Sequence, residues 1–129
     1  MTTGPIASLG PELGGAYVAY EEALMAGDTA GQRAAFSEDP SVVRVDPAGP
    51  VVGPDALAAF RAQRPSPGPR RLRDLHMVRS PGETVVTVAV NERLGADGEV
   101  VGLSTQTQVW ARTGEGWRVI AACVSPMSP

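Results

Sequence analysis

From Leu13 onward the apolar positions step by threes and fours: Leu13, Tyr17, Tyr20 and Leu24 form one stripe. That is the period of an amphipathic helix, and it predicts one over residues 12–26. Gly27 ends it, and Asp28 or Thr29 caps a second, short helix over residues 30–36. A strand is expected over residues 41–46, turned by Pro47-Ala48-Gly49-Pro50 into Val51-Val52-Gly53. Pro54-Asp55 opens a third helix to about Arg64, with proline in its favoured first-turn position and a stripe of Leu57, Phe60, Arg61 and Arg64.

Beyond a three-proline loop at residues 65–69 the period changes to two. Strands are expected at about 71–79, 84–94 and 100–112, with a last one from Trp117. Ala96-Asp97-Gly98 suits a type I′ hairpin, and Thr113-Gly114-Glu115-Gly116 makes the final turn. Helices first and sheet after is an α+β order: one domain over residues 12–129, preceded by a loose arm over residues 1–11. In the strand after Thr84, Val86, Val88 and Val90 alternate with Val85, Thr87 and Ala89. Both faces are apolar or nearly so. One packs on the helices; the other predicts a sheet-to-sheet homodimer.

Composition narrows the function. With 129 residues the chain suffices for one core and not for two domains. At 5% aromatic residues, that core must be built from Val, Leu and Ala. A net charge of −3 disfavours nucleic acid. All 11 basic residues are Arg, which excludes lysine Schiff-base chemistry and points to a GC-rich bacterial gene. One Cys and one His cannot make a disulfide framework or a typical structural zinc site, and no cofactor fingerprint is present. Neither a membrane span nor a signal peptide is legible, so a cytoplasmic protein is expected.

The terminal hairpin holds the densest pattern: Gly102, Gln106, Thr107, Val109, then Gly116, Trp117, Arg118, Val119, Ala121, Ala122, Val124 and Ser125. Upstream stand Val43-Arg44, Gly53, Ala59-Phe60-Arg61 and Arg64-Pro65. Together these resemble the AtzH-like branch of the nuclear-transport-factor-two-like (SnoaL-like) superfamily, over roughly residues 20–125. Leu103 and Cys123 depart from it, standing where that branch usually has Arg and His. The resemblance implies a cone-shaped fold, N-terminal helices packed on a strongly curved antiparallel sheet, with a small-molecule pocket. It also implies a setting of carboxylated urea-like compounds and amidase pathways.

Candidate site residues fall into groups. Arg44, Arg61 and Arg64 stand at positions that the resemblance implies the family keeps; guanidiniums converging near a pocket mouth would recognise a carboxylate or phosphate bidentately. The same arginines could instead pair with Glu38, Asp39, Asp46 or Asp55. Superfamily enzymes such as ketosteroid isomerase pair a carboxylate base with a tyrosine donor, which would cast Asp46 with Tyr17 or Tyr20. Equally, Asp46 before Pro47 reads as a turn residue and the tyrosines as core. Cys123 shares its alternation with Trp117, Val119 and Ala121: if that face is the concave one, the thiol points into the pocket, where it could pair with His76 as a dyad or stand as a buried inert thiol. The alternation of residues 71–79 does not fix the side of His76. Thr105 and Thr107 are expected inward, with Trp117 walling the pocket or packing under the third helix. Two function classes stay open: a cofactor-free enzyme (isomerase, dehydratase, cyclase or hydrolase) on a polar, carboxylated molecule, or a non-catalytic ligand-binding or accessory subunit of an amidase-type pathway.

Overall fold

The computed structural model describes residues 4–128. A 3₁₀ helix, Gly4–Leu9, precedes α1 (Pro11–Ala26), α2 (Thr29–Ala35), β1 (Val43–Asp46), β2 (Gly49–Val52) and α3 (Pro54–Ala62). Four longer strands follow: β3 (Arg70–Arg79), β4 (Thr84–Leu94), β5 (Val100–Thr113) and β6 (Gly116–Met127). The loose arm expected through Pro11 is thus helical from Gly4, because Leu9 is buried in the core and Arg79 donates to its carbonyl. Residues 1–3 of that arm lie outside the described residues.

Local signals explain the helix ends. Gly27 takes the left-handed conformation at the end of α1 (φ 70°), which only glycine adopts without strain. Asp28 accepts a hydrogen bond from the Gly31 N–H at 2.9 Å and caps α2. In the β4–β5 turn Gly98 is left-handed but Asp97 is not, so the turn is not type I′. A non-glycine residue in positive φ is avoided by placing the one left-handed residue at Gly98.

The six strands form one sheet in the order β2-β1-β6-β5-β4-β3. The sheet is antiparallel except where β1 runs parallel to β6, so it is mixed. Helices cover one face. There Leu13, Tyr17, Phe36, Val42, Leu57, Val85, Trp110 and Val119 form the core. Trp110, fully buried, donates its indole N–H to Thr87 Oγ1 at 3.2 Å. The α+β architecture matches the expectation. Among the described residues no helix is long and apolar enough to cross a membrane.

Candidate functional site

Towards one end of the sheet's inner face the core gives way to an open cavity of about 530 Å³. Its walls are the C-terminal half of α1, α3, the proline loop after it, and inner positions of β4, β5 and β6. Tyr20, Arg44, Asp46, Arg61 and Arg64 all line it. The stripe of α1 brings Tyr20 there, β1 brings Arg44 and Asp46, and the last turn of α3 with the residues just after it brings Arg61 and Arg64.

These arginines are not equivalent. Asp46 Oδ2 accepts from Arg44 Nη1 at 2.8 Å and from Arg64 Nη1 at 2.9 Å, while Oδ1 accepts from the Ala48 N–H at 2.8 Å. The ring of Phe60 carries both guanidiniums, 4.8 Å from Arg44 and 4.7 Å from Arg64. The hydrogen bond from Arg44 is the chief cause holding the Asp46 carboxyl below the usual range, with the Ala48 N–H and Arg64 adding to it. A carboxylate so held is a poor proton acceptor and a good clamp for two arginines.

Arg61 differs. It is 7% exposed and stacks 4.5 Å over Phe36, yet its Nη2 has no hydrogen-bond partner. Among the described residues no carboxylate lies within ion-pair distance of it. Burial pulls its pKa below the ordinary arginine value, but a guanidinium stays charged at neutral pH. Buried cations are normally paired.

Deeper in, Arg70 grips Glu21 with two bonds of 3.0 and 2.7 Å and donates to Gln106 Oε1 at 2.9 Å. Gln106 Nε2 returns a bond to Glu21 at 3.2 Å. Beside them Asn91, 2% exposed, leaves its Nδ2 unpaired. Desolvation, then the nearby Glu21 charge, raises the pKa of the Tyr20 phenol, so it stays a neutral donor at physiological pH.

Other expected site residues lie elsewhere. Tyr17 is buried in the core against Trp110, ring centroids 6.3 Å apart, away from the cavity. His76 is on the helix-free face, two-thirds exposed and 3.0 Å from Asp74, because Leu75 and Met77 take the inner positions of β3. Cys123 is exposed on that same outer face. The cause is a bulge: Trp110 pairs Val119 and Val109 pairs Ala121, so Ile120 is an extra residue that reverses the alternation. Thr105 and Thr107 also face outward, since Gln106, Gln108 and Trp110 occupy the buried positions of β5. Trp117 packs against the core and does not line the cavity.

Sequence reasoning missed Arg70, Glu21, Gln106 and Asn91. One signal was available for Gln106: it shares its alternation with Trp110, the larger of the apolar candidates for burial. Asn91 likewise follows Val85, Thr87 and Ala89 at the same parity. Nothing in the sequence marks Arg70.

The α+β fold, with a polar cavity between its helices and the inner face of its sheet, is shared with solved proteins described as NTF2-like and ketosteroid isomerase-like. The chain belongs to the AtzH-like family, whose model matches residues 7–129. No curated protein matches it. A solved protein of unknown function from Pectobacterium atrosepticum is similar at 29% identity, covering 98% of this chain and 94% of that one, with a TM-score of 0.80. A cystatin-like fold protein from Burkholderia xenovorans is 28% identical over 96% of this chain and 93% of its own, TM-score 0.78. A ketosteroid isomerase-like protein from Erwinia carotovora atroseptica shares the fold at 20% identity, covering 92% and 95% of the two chains, TM-score 0.71.

Proposed function

We propose that this chain is a small cofactor-free pocket enzyme acting on a polar, carboxylated small molecule of bacterial metabolism. The observation that carries the reading is Arg61, a buried guanidinium in the cavity wall with no carboxylate of its own. In this reading the substrate carboxylate takes the vacant partner position at Arg61, with Arg44 beside it. Charge-assisted bonds of that kind contribute about 1.5–3 kcal/mol each. Tyr20, neutral and at the same cavity, donates a proton or hydrogen bond to the oxygen that gains charge as the substrate reacts. Asp46 holds Arg44 and Arg64 in place rather than acting as base. His76 and Cys123, on the opposite face of the sheet, take no part.

One observation favours the second reading, a ligand-binding or accessory subunit for an amidase-type enzyme. Asp46 is the one carboxylate among the described residues lining the cavity, and it is already bonded on both oxygens. Tyr20→Phe separates the two. The enzyme reading expects turnover of a carboxylated urea to fall by on the order of 10²–10⁴ with little change in ligand affinity. The accessory reading expects no turnover in the wild type and ligand binding that survives the change.

The proposal includes a cytoplasmic homodimer formed through the helix-free face. Val86, Val88 and Val90 lie on that face, and Val78 and Ile120 add exposed apolar surface, 62% and 37% exposed. Light scattering at micromolar concentration should give twice the chain mass; a monomer across the whole concentration range would remove this part.

A further inference from the structure

A second cavity arginine is also without a carboxylate. Arg93 lines the cavity at the hairpin end of β4, and among the described residues no Asp or Glu lies within ion-pair distance of it. It continues the inward alternation of Val85, Thr87, Ala89 and Asn91. Its cross-strand partner is Gly102. The guanidinium lies across that glycine: a Cβ built on Gly102 would sit 2.9 Å from Nη2, 3.3 Å from Cζ and 3.6 Å from Nε. No side chain fits at residue 102 with the guanidinium where it is. Gly102 is not among the glycines with positive φ, so its backbone does not need glycine; a side chain there would displace the Arg93 guanidinium, the free end of a flexible side chain, from its place over residue 102.

Register supports the same reading. Arg93 pairs Gly102 but Leu94 pairs Val100, so a bulge falls at Val101. Bulges re-aim side chains beside them. The register sets Arg93 between Arg70 on β3 and Gly102 on β5, neither of them acidic.

We propose that Arg93 is a ligand-contacting specificity residue, admitted to the cavity by the missing side chain of Gly102, which donates to an oxygen at the end of the ligand remote from its carboxylate. The inference rests on the carboxylate reading of Arg61. It assigns a role to a residue on β4, across the sheet from the α3 and β1 arginines, and makes Gly102 the device that positions it.

The test uses the full chain and four probes. N-Carbamoylglycine and N-carbamoyl-β-alanine carry a carboxylate and a distal carbonyl oxygen; pentanoate and hexanoate keep the carboxylate and chain length but lack that oxygen. Calorimetric titration should show Arg93→Gln and Gly102→Ala each weakening the better carbamoyl ligand about tenfold, with the fatty acid unaffected. The double variant should lose no more than either single one, because both remove the same contact. Melting temperatures of the variants should match the wild type, since Arg93 is exposed. Wild-type affinity for both ligand types in Arg93→Gln would overturn the inference and leave the Arg61 reading standing. Equal losses for both ligand types would reduce Arg93 to a general attractive charge and overturn its specificity role. If Arg61→Met leaves carbamoyl binding intact, or the wild type binds none of the probes, the carboxylate reading falls and this inference with it.

Discussion

The two ends of the sheet's inner face are built by the same strands and do opposite things. At one end Val85, Trp110 and Val119 close a dry core against Leu13 and Tyr17. At the other, six residues further along β4 and four residues back along β5, Asn91 and Gln106 meet Arg70 and Glu21 beside an open cavity. Apolar area removed from water stabilises the first end by roughly 25 cal/mol per Å². The second end holds buried polar groups, and among the described residues the unpaired buried side-chain atoms are Arg61 Nη2 and Asn91 Nδ2 at the cavity, Tyr17 OH in the core and Gln108 Oε1 on β5. Each such group costs about 1–3 kcal/mol. The first end carries the apolar core and the second the proposed recognition site.

The largest effect expected from this division is at the dry end. Trp110→Ala removes a fully buried side chain and its bond to Thr87, and should lower unfolding free energy by about 3–5 kcal/mol. Denaturant titration checks it. The comparison breaks if the loss is under about 1 kcal/mol, because the dry end would then not be where stability resides.

A smaller, pH-dependent effect is expected at the cavity. Arg44 and its neighbours hold the Asp46 carboxyl below its ordinary value of 3.8, so folding favours the ionised form. That contribution is in place at neutral pH and is lost as pH falls from 3.8 through the lower folded value. Asp46→Asn should therefore cost stability at pH 7 and flatten the acid limb of the stability curve relative to wild type. Two parallel curves would show that Asp46 is not coupled to the arginines as described. The phenol of Tyr20 works in the other direction: its pKa is raised in the folded state, so the stability it contributes is present below 10.0 and lost above it.

How much of this was legible in the sequence follows the same division. Periodicity and cap signals found the three α-helices and the four long strands, because stripes such as Leu13-Tyr17-Tyr20 and the valine alternation of β4 report burial directly; the 3₁₀ helix Gly4–Leu9 was missed. The resemblance to the AtzH-like branch and its superfamily pointed to Tyr20, Arg44, Asp46, Arg61 and Arg64, which the fold brings to one cavity. The faces of β5 and β6 were lost for two reasons. Gln106 and Gln108 are polar yet buried, which a hydrophobic pattern reads as exposed. The bulge at Ile120 reverses the alternation within β6, and no residue type announces a bulge. Hence Cys123, Thr105 and Thr107 were expected on the cavity face and lie on the other. The contacts of Arg70 with Glu21 and Gln106 span 49 and 36 residues, beyond the reach of any local rule.

The central claim is that Arg61 is an incomplete ion pair awaiting a ligand carboxylate, and one variant tests it directly. Arg61→Met keeps the length and packing of the side chain over Phe36 while deleting the charge. Calorimetry with N-carbamoylglycine and thermal unfolding should be measured on the same preparation. The account predicts that binding weakens by about 1.5–3 kcal/mol while stability is unchanged or rises, because a buried cation without a partner destabilises the free protein. Undiminished binding together with a large loss of stability would contradict it, and would make Arg61 a structural residue of the fold.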